Sequence, residues 1–232
     1  MAEQIRERLV RVREQIARAA ERAGRSADDI ALIAVSKTFD PVTVQQAVDA
    51  GAHDLGENRV QEAITKVGVV EGNVRWHLIG HLQSNKARQA IEAFDVIHTI
   101  DSSELVGRLD RIAGETKRRP EVLIQVDLAH EPTKSGADER ELPVIVEALQ
   151  AASNLAFRGL MTLPPFFDSA EKTRPYFRRL RELLESLNSR RRPEQRLTEL
   201  SMGMSHDFEA AVEEGATMVR VGTAIFGTRG KQ

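Results

Sequence analysis

The sequence predicts a closed (β/α)8 barrel, a TIM barrel, with one extra helix in front of it. Three observations lead there. Eight short apolar runs alternate with amphipathic stretches along 232 residues. Parallel strands need long crossovers, so this alternation reads as a parallel sheet covered by helices. The count of eight favours closure over an open doubly wound sheet, and no linker-like stretch or shift in composition divides the chain. One domain over residues 1–232 is therefore expected.

The elements follow in order. Ile5, Leu9, Val12, Ile16, Ala19 and Ala23 recur at spacings of three and four with Arg and Glu between them, the period of an amphipathic helix. Gly24 stands where a helix-ending glycine belongs. Strands are expected at residues 31–35, 54–56, 75–79, 96–100, 122–127, 156–163, 198–201 and 218–221. Helical stretches follow the first seven, and a short tail follows the eighth. Asp40-Pro41 reads as an N-cap and first helical residue. Ser84, Ser102 and Ser205 are further expected N-caps. Gly51 and Gly215 are expected in the left-handed conformation at two similar helix-to-strand turns. A helix near residues 171–187 puts Phe177, Leu180, Leu184 and Leu187 on one stripe.

Composition narrows the function. Hydrophobic residues make up 41% and charged residues 29%, which suits a soluble chain with a sizeable core. A net charge of −2 gives no overall field for nucleic acid or an anionic membrane. The arginines of Arg190-Arg191-Arg192 lack interleaved aromatics and read as a solvated loop. With no cysteine, disulfides and thiolate chemistry are excluded. Met1–Arg6 has no signal-peptide pattern, and no apolar run approaches the roughly 20 residues of a membrane span, so the expected compartment is the cytoplasm. No apolar surface stripe stands out, and a monomer is expected.

Barrel sites lie at the C-terminal ends of the strands, and phosphates are often held after strands seven and eight. Lys37 ends strand one in Ala34-Val35-Ser36-Lys37, where an amine would face the mouth. Strand seven runs into Ser201-Met202-Gly203-Met204-Ser205, and strand eight into Gly222-Thr223. Glycine turns with hydroxyl donors suit a phosphate. An amine and a phosphate loop in one mouth suit an aldehyde that carries a phosphate, such as pyridoxal 5′-phosphate held as a Schiff base on lysine. Arg220 lies inside an apolar strand and must find a partner, because an unpaired buried charge is costly. A phosphate, a pyridine nitrogen or a core carboxylate such as Glu57 would serve. Asn58 could donate to a ring oxygen or cap a helix. His77 and His81 span a strand end and a loop, which makes polar lining a better reading than a metal site.

Taken together, Val35-Ser36-Lys37-Thr38, Gly56-Glu57-Asn58, His77-Leu78-Ile79-Gly80, Leu82-Gln83-Ser84-Asn85-Lys86, Lys134-Ser135-Gly136, Ser201-Met202-Gly203-Met204-Ser205 and Arg220-Val221-Gly222-Thr223 resemble the pyridoxal phosphate homeostasis protein family. The resemblance runs in order over nearly the whole chain. That family is similar to the barrel domain of alanine racemase without its second domain. The resemblance implies a Schiff base on Lys37, phosphate contacts from Ser201, Gly222 and Thr223, and Arg220 at the pyridine nitrogen. It also implies Asn58 near the ring, with His77 and Met202 lining the pocket. Asp127 departs from the asparagine expected there and adds a charge.

The expected role is storage or delivery of the cofactor to apo-enzymes, without robust catalysis. An arginine beside the ring nitrogen weakens the ring as an electron sink, and Tyr176, the only tyrosine, falls in a helix away from the mouth. A cofactor-dependent amino-acid racemase or lyase is the alternative. A Schiff-base aldolase acting on a sugar phosphate is a third reading. Lys86 or Lys134 could offer a second, weaker position.

Overall fold

In the computed structural model, which describes residues 2–130 and 135–227, the chain closes into a barrel. Its eight parallel strands are β1 Ala31–Val35, β2 Asp54–Glu57, β3 Arg75–Leu78, β4 Val96–Ile100, β5 Glu121–Gln125, β6 Ala156–Met161, β7 Glu199–Met204 and β8 Met218–Val221. They pair in sequence order, and β8 returns to β1 with Arg220 beside Ile33. The helices are α1 Ala2–Arg22, α2 Pro41–Asp49, α3 Val60–Val67, α4 Ala87–Ala93, α5 Ser103–Thr116, α6 Leu142–Ala151, α7 Arg174–Asn188, α8 Phe208–Glu213 and α9 Thr223–Phe226.

Helix α1 forms for the reason its period gives. Ile5, Leu9, Val12, Ile16, Ala19 and Ala20 are buried on one face, against α8, α9 and α2. Each large apolar side chain buried this way contributes roughly 1.5–3 kcal/mol. Gly24 takes φ +66° just past the helix end.

Strand alternation splits the core into two layers. Ile33, Val96, Leu123, Met161 and Met218 meet inside the barrel. Their strand neighbours Ala34, Ile97, Ile124, Leu160 and Val219 join the larger core beneath the helices. The polar side chains His77, His98, Gln125, Ser201 and Arg220 are also buried.

Several caps and turns match the chemistry of the sequence. Asp40 accepts the Thr43 amide at the start of α2, and Ser102 accepts that of Leu105. Gly51 and Gly215 have φ +96° and +107°. Two expected caps differ. Ser84 opens a 3-10 turn over Ser84–Lys86, and α4 begins only at Ala87 with no side-chain cap. Ser205 does not cap α8, whose N-cap position is Asp207; its hydroxyl goes to another loop. The eighth strand leads into the short helix α9 rather than a plain tail.

The largest departure lies in β7, expected at residues 198–201 and found at Glu199–Met204. Between Ser201 and Met204 the register against β8 slips by one residue, with Ser201 paired to Met218 and Met204 to Arg220. Such a bulge re-aims the side chains that follow it. Gly203, at φ +92°, supplies the conformation, and its missing Cβ leaves room for Ala211 and Phe208.

Candidate functional site

The C-terminal mouth holds a cavity of about 620 Å3, within the ordinary size of a small-molecule site. Lys37, Asn58, Arg220, Gly222 and Thr223 line it together with Val35, Ile79, Leu163, Phe166, Met204, Ser205 and His206. Residues 186 positions apart in sequence, such as Lys37 and Thr223, thus converge on one space.

Lys37 sits in the turn directly after β1, half-buried, between two tethered neighbours. On one side the Ser36 hydroxyl donates to Glu57 Oε1 at 2.6 Å, and the Ser36 carbonyl accepts from Lys66 Nζ at 2.9 Å. On the other side the Thr38 amide, at φ +71°, donates to Glu62. Lys66 joins both sides, at 2.7 Å from Glu57 and 2.9 Å from Glu62. Lys66 and Glu57 are almost wholly excluded from water. Burial pushes the Glu57 carboxyl above its ordinary range, against the pull of Lys66 and Ser36. The sequence reading missed Lys66. Its signal was present, since Val60, Ala63 and Lys66 share the buried face of α3.

Asn58 follows β2 directly, and its backbone is crossed closely by Gly80. A Cβ on Gly80 would lie 2.2 Å from the Asn58 carbonyl oxygen. The His77-Leu78-Ile79-Gly80 run therefore ends in glycine because the chain has no space for more.

Arg220 is buried, yet reaches the cavity. Its partner is not Glu57, the core carboxylate considered from sequence, because Glu57 is held by Lys66. Instead Nη1 donates to Ser201 Oγ, and Nη2 donates to the Thr162 carbonyl at 2.8 Å. Desolvation pulls its pKa down to about 10, which leaves the guanidinium charged at neutral pH.

The expected phosphate contact Ser201 and the expected lining residues His77 and Met202 lie elsewhere. His77, Ser201 and Met202 are not exposed at all and do not line the cavity. Ser201 faces into the barrel below Arg220, where its hydroxyl also meets His98 Nδ1 at 2.9 Å. Met202, next along the strand, faces out into the core beneath the helices. The β7 bulge brings Met204 and Ser205 to the cavity in their place. The Ser205 hydroxyl accepts the Gly222 amide at 3.2 Å and so joins the loops after β7 and β8. His77 faces inward but sits deep, 2.8 Å from Asp54 and 2.9 Å from His98.

The remaining candidates separate. His81 lies 3.3 Å from Asp101, away from the His77 partners. Asp127 Oδ1 accepts the amides of Ala129 and His130, so the added charge closes a local turn. Tyr176 stacks on Phe167. Lys134 lies outside the described residues. Among the described residues no helix is long and apolar enough to cross a membrane.

The family model described as "Alanine racemase, N-terminal domain" matches residues 8–230. A pyridoxal phosphate homeostasis protein of Aquifex aeolicus is 42% identical over 224 residues, covering 96% of this chain and 97% of that protein. One from Escherichia coli is 40% identical, covering 88% of each. Among solved structures, PipY of Synechococcus elongatus without PLP superposes with a TM-score of 0.87 at 44% identity, over 96% of this chain and 100% of that one. PipY with PLP bound gives 0.85 at 43% identity, with the same coverage. Alanine racemase of Clostridium difficile in complex with cycloserine shares the fold, with a TM-score of 0.74 at 15% identity over 99% of this chain and 60% of its own. The chain belongs to the alanine racemase N-terminal domain family and, within it, to the pyridoxal phosphate homeostasis proteins.

Proposed function

We propose that this protein holds pyridoxal 5′-phosphate as a Schiff base on Lys37 and serves its homeostasis by storage and delivery, without robust catalysis of its own. The observation that carries the reading is the convergence of Lys37, Arg220, Gly222 and Thr223 on one cavity. The PLP-bound PipY structure, 43% identical, supports the choice of cofactor.

The donor set fits the group. The Lys37 amine condenses with the aldehyde and water leaves. The Ser205 and Thr223 hydroxyls offer donors for the phosphate at the joined loops after β7 and β8, where the Gly222 amide orients Ser205, in place of the buried Ser201. Asn58 lines the same cavity and can donate to the ring oxygen. Arg220 can only donate, so beside the ring nitrogen it favours the unprotonated form. Bound pyridoxal phosphate supplies an electron sink, and an unprotonated ring is the weaker one. Exposed large apolar residues such as Val10, Val42, Ile64 and Val144 lie on different helices, which supports a monomer. The expected setting is the cytoplasm, and the expected partners are apo-enzymes that need the cofactor.

A second reading, an amino-acid racemase or lyase, gains from one observation. His206 lines the cavity and supplies a second acid/base group.

The test is borohydride reduction after incubation with pyridoxal phosphate, with intact mass and peptide mapping. One adduct on the Lys37 peptide is the expected result, and scattered or absent adducts refute the reading. Exchange of the amino-acid α-hydrogen into deuterated solvent at enzymatic rates, lost in His206→Ala, would move the assignment from carrier to enzyme.

A further inference from the structure

The barrel interior carries a line of hydrogen bonds from its floor to Arg220. Asp54 Oδ1 lies 2.8 Å from His77 Nε2, and His77 Nδ1 lies 2.9 Å from His98 Nε2. His98 Nδ1 lies 2.9 Å from Ser201 Oγ, which receives Arg220 Nη1. Asp54 opens β2 at the N-terminal end of the barrel, 3.9 Å from Arg75, and Arg220 reaches the cavity at the other end.

The direction of every bond follows from the carboxylate at the floor and the neutral rings above it. An ionised carboxylate only accepts, so His77 carries its proton on Nε2 and donates to Asp54. The neutral His77 ring then accepts at Nδ1 from His98 Nε2, and the neutral His98 ring accepts at Nδ1 from the Ser201 hydroxyl. Ser201 Oγ in turn accepts from Arg220, whose guanidinium has donors and no acceptor. Each donor meets an acceptor with neutral rings, and the line cannot run in reverse because Asp54 cannot donate. It is thus unsuited to passing protons to the cavity and suited to holding one geometry.

We propose that Asp54, His77, His98 and Ser201 are positioning residues that lock the guanidinium of Arg220 in one orientation at the base of the cavity. With the Thr162 carbonyl on Nη2, two donors are held. Burial lowers the pKa of both histidines, which agrees with neutral rings. The lock itself is a property of the ligand-free barrel. Its purpose, to aim Arg220 at the cofactor ring, rests on the cofactor reading above.

Two measurements test it separately. In ligand-free protein, 15N-resolved NMR should show His77 and His98 both neutral with the proton on Nε2, unchanged between about pH 5 and 8. An Nδ1–H tautomer, or ordinary titration of either ring, overturns the lock. In protein incubated with pyridoxal phosphate, the pH midpoint of the visible imine band is followed in the parent, Ser201→Ala and Ser201→Thr. Ser201→Ala should move the midpoint by about one unit, as expected when a nearby charge shifts, and Ser201→Thr should restore it. A midpoint unmoved by Ser201→Ala, with the Lys37 adduct present, refutes the aiming role. A parent that forms no adduct refutes the cofactor reading, and the tautomers then decide the lock by themselves.

Discussion

Lys66 Nζ lies 2.7 Å from Glu57 Oε1 in a place almost closed to water, and the pair braces the turn that carries Lys37. Breaking a buried pair leaves an uncompensated charge. Lys66→Met should cost roughly 3–5 kcal/mol of stability. Adding Glu57→Gln should recover part of that loss, because the stranded charge is gone. Urea unfolding of the two variants checks it; a double variant no more stable than the single would show that the brace acts by packing alone.

Lys37→Ala should abolish the borohydride-trapped adduct of pyridoxal phosphate, while Lys86→Ala leaves its mass and position unchanged. Lys37 lines the cavity, and Lys86 ends a separate 3-10 turn. An undiminished adduct in Lys37→Ala would move the site to another lysine.

The buried histidines predict an acid-sensitive barrel. Their folded pKa values lie below the ordinary value, with desolvation the first cause. Their contribution is fully present above the unfolded pKa near ~6.5 and fades as pH falls below it toward the folded values. Each histidine can account for up to about 1.4 kcal/mol per pH unit in that window. Glu57, with a raised pKa, acts in the opposite sense but is common to parent and variant. His98→Gln should therefore flatten the dependence of stability on pH, measured as denaturation midpoints from pH 7.5 downward. Parallel curves would contradict the neutral assignment.

Gly80→Ala should damage both stability and the site. The added methyl would stand 2.2 Å from the Asn58 carbonyl, against backbone that cannot swing aside. Overpacking of this kind typically costs about 1–3 kcal/mol. The cofactor should dissociate more readily from the variant than from the parent, read by equilibrium dialysis. A variant with unchanged stability and retention would show that the β2 and β3 ends separate freely.

Much of the frame was legible along the chain. The period of α1, the apolar runs of β1, β4 and β8, and the caps at Asp40 and Ser102 depend on neighbours within a few residues. So the strands, their count and parallel order, and the helices that follow the first seven of them could be read in sequence. So could Lys37 and Gly222-Thr223, because a strand end in a barrel has a known place. The choice between Ser201 and Ser205 could not. Both flank the same glycine, and only the one-residue slip of β7 against β8 decides which hydroxyl reaches the cavity. His77 and His98 stand 21 positions apart, and of the two the sequence marks only His77, as polar lining of the mouth. Closure of the barrel brings them together and joins them to Ser201 and Arg220. The sequence by itself determined which residues form strands, helices and strand-end turns, since those follow from local period and backbone preference. Tertiary structure alone decided which polar groups share the interior and which meet a ligand, since register and closure set distances between residues that no local pattern relates.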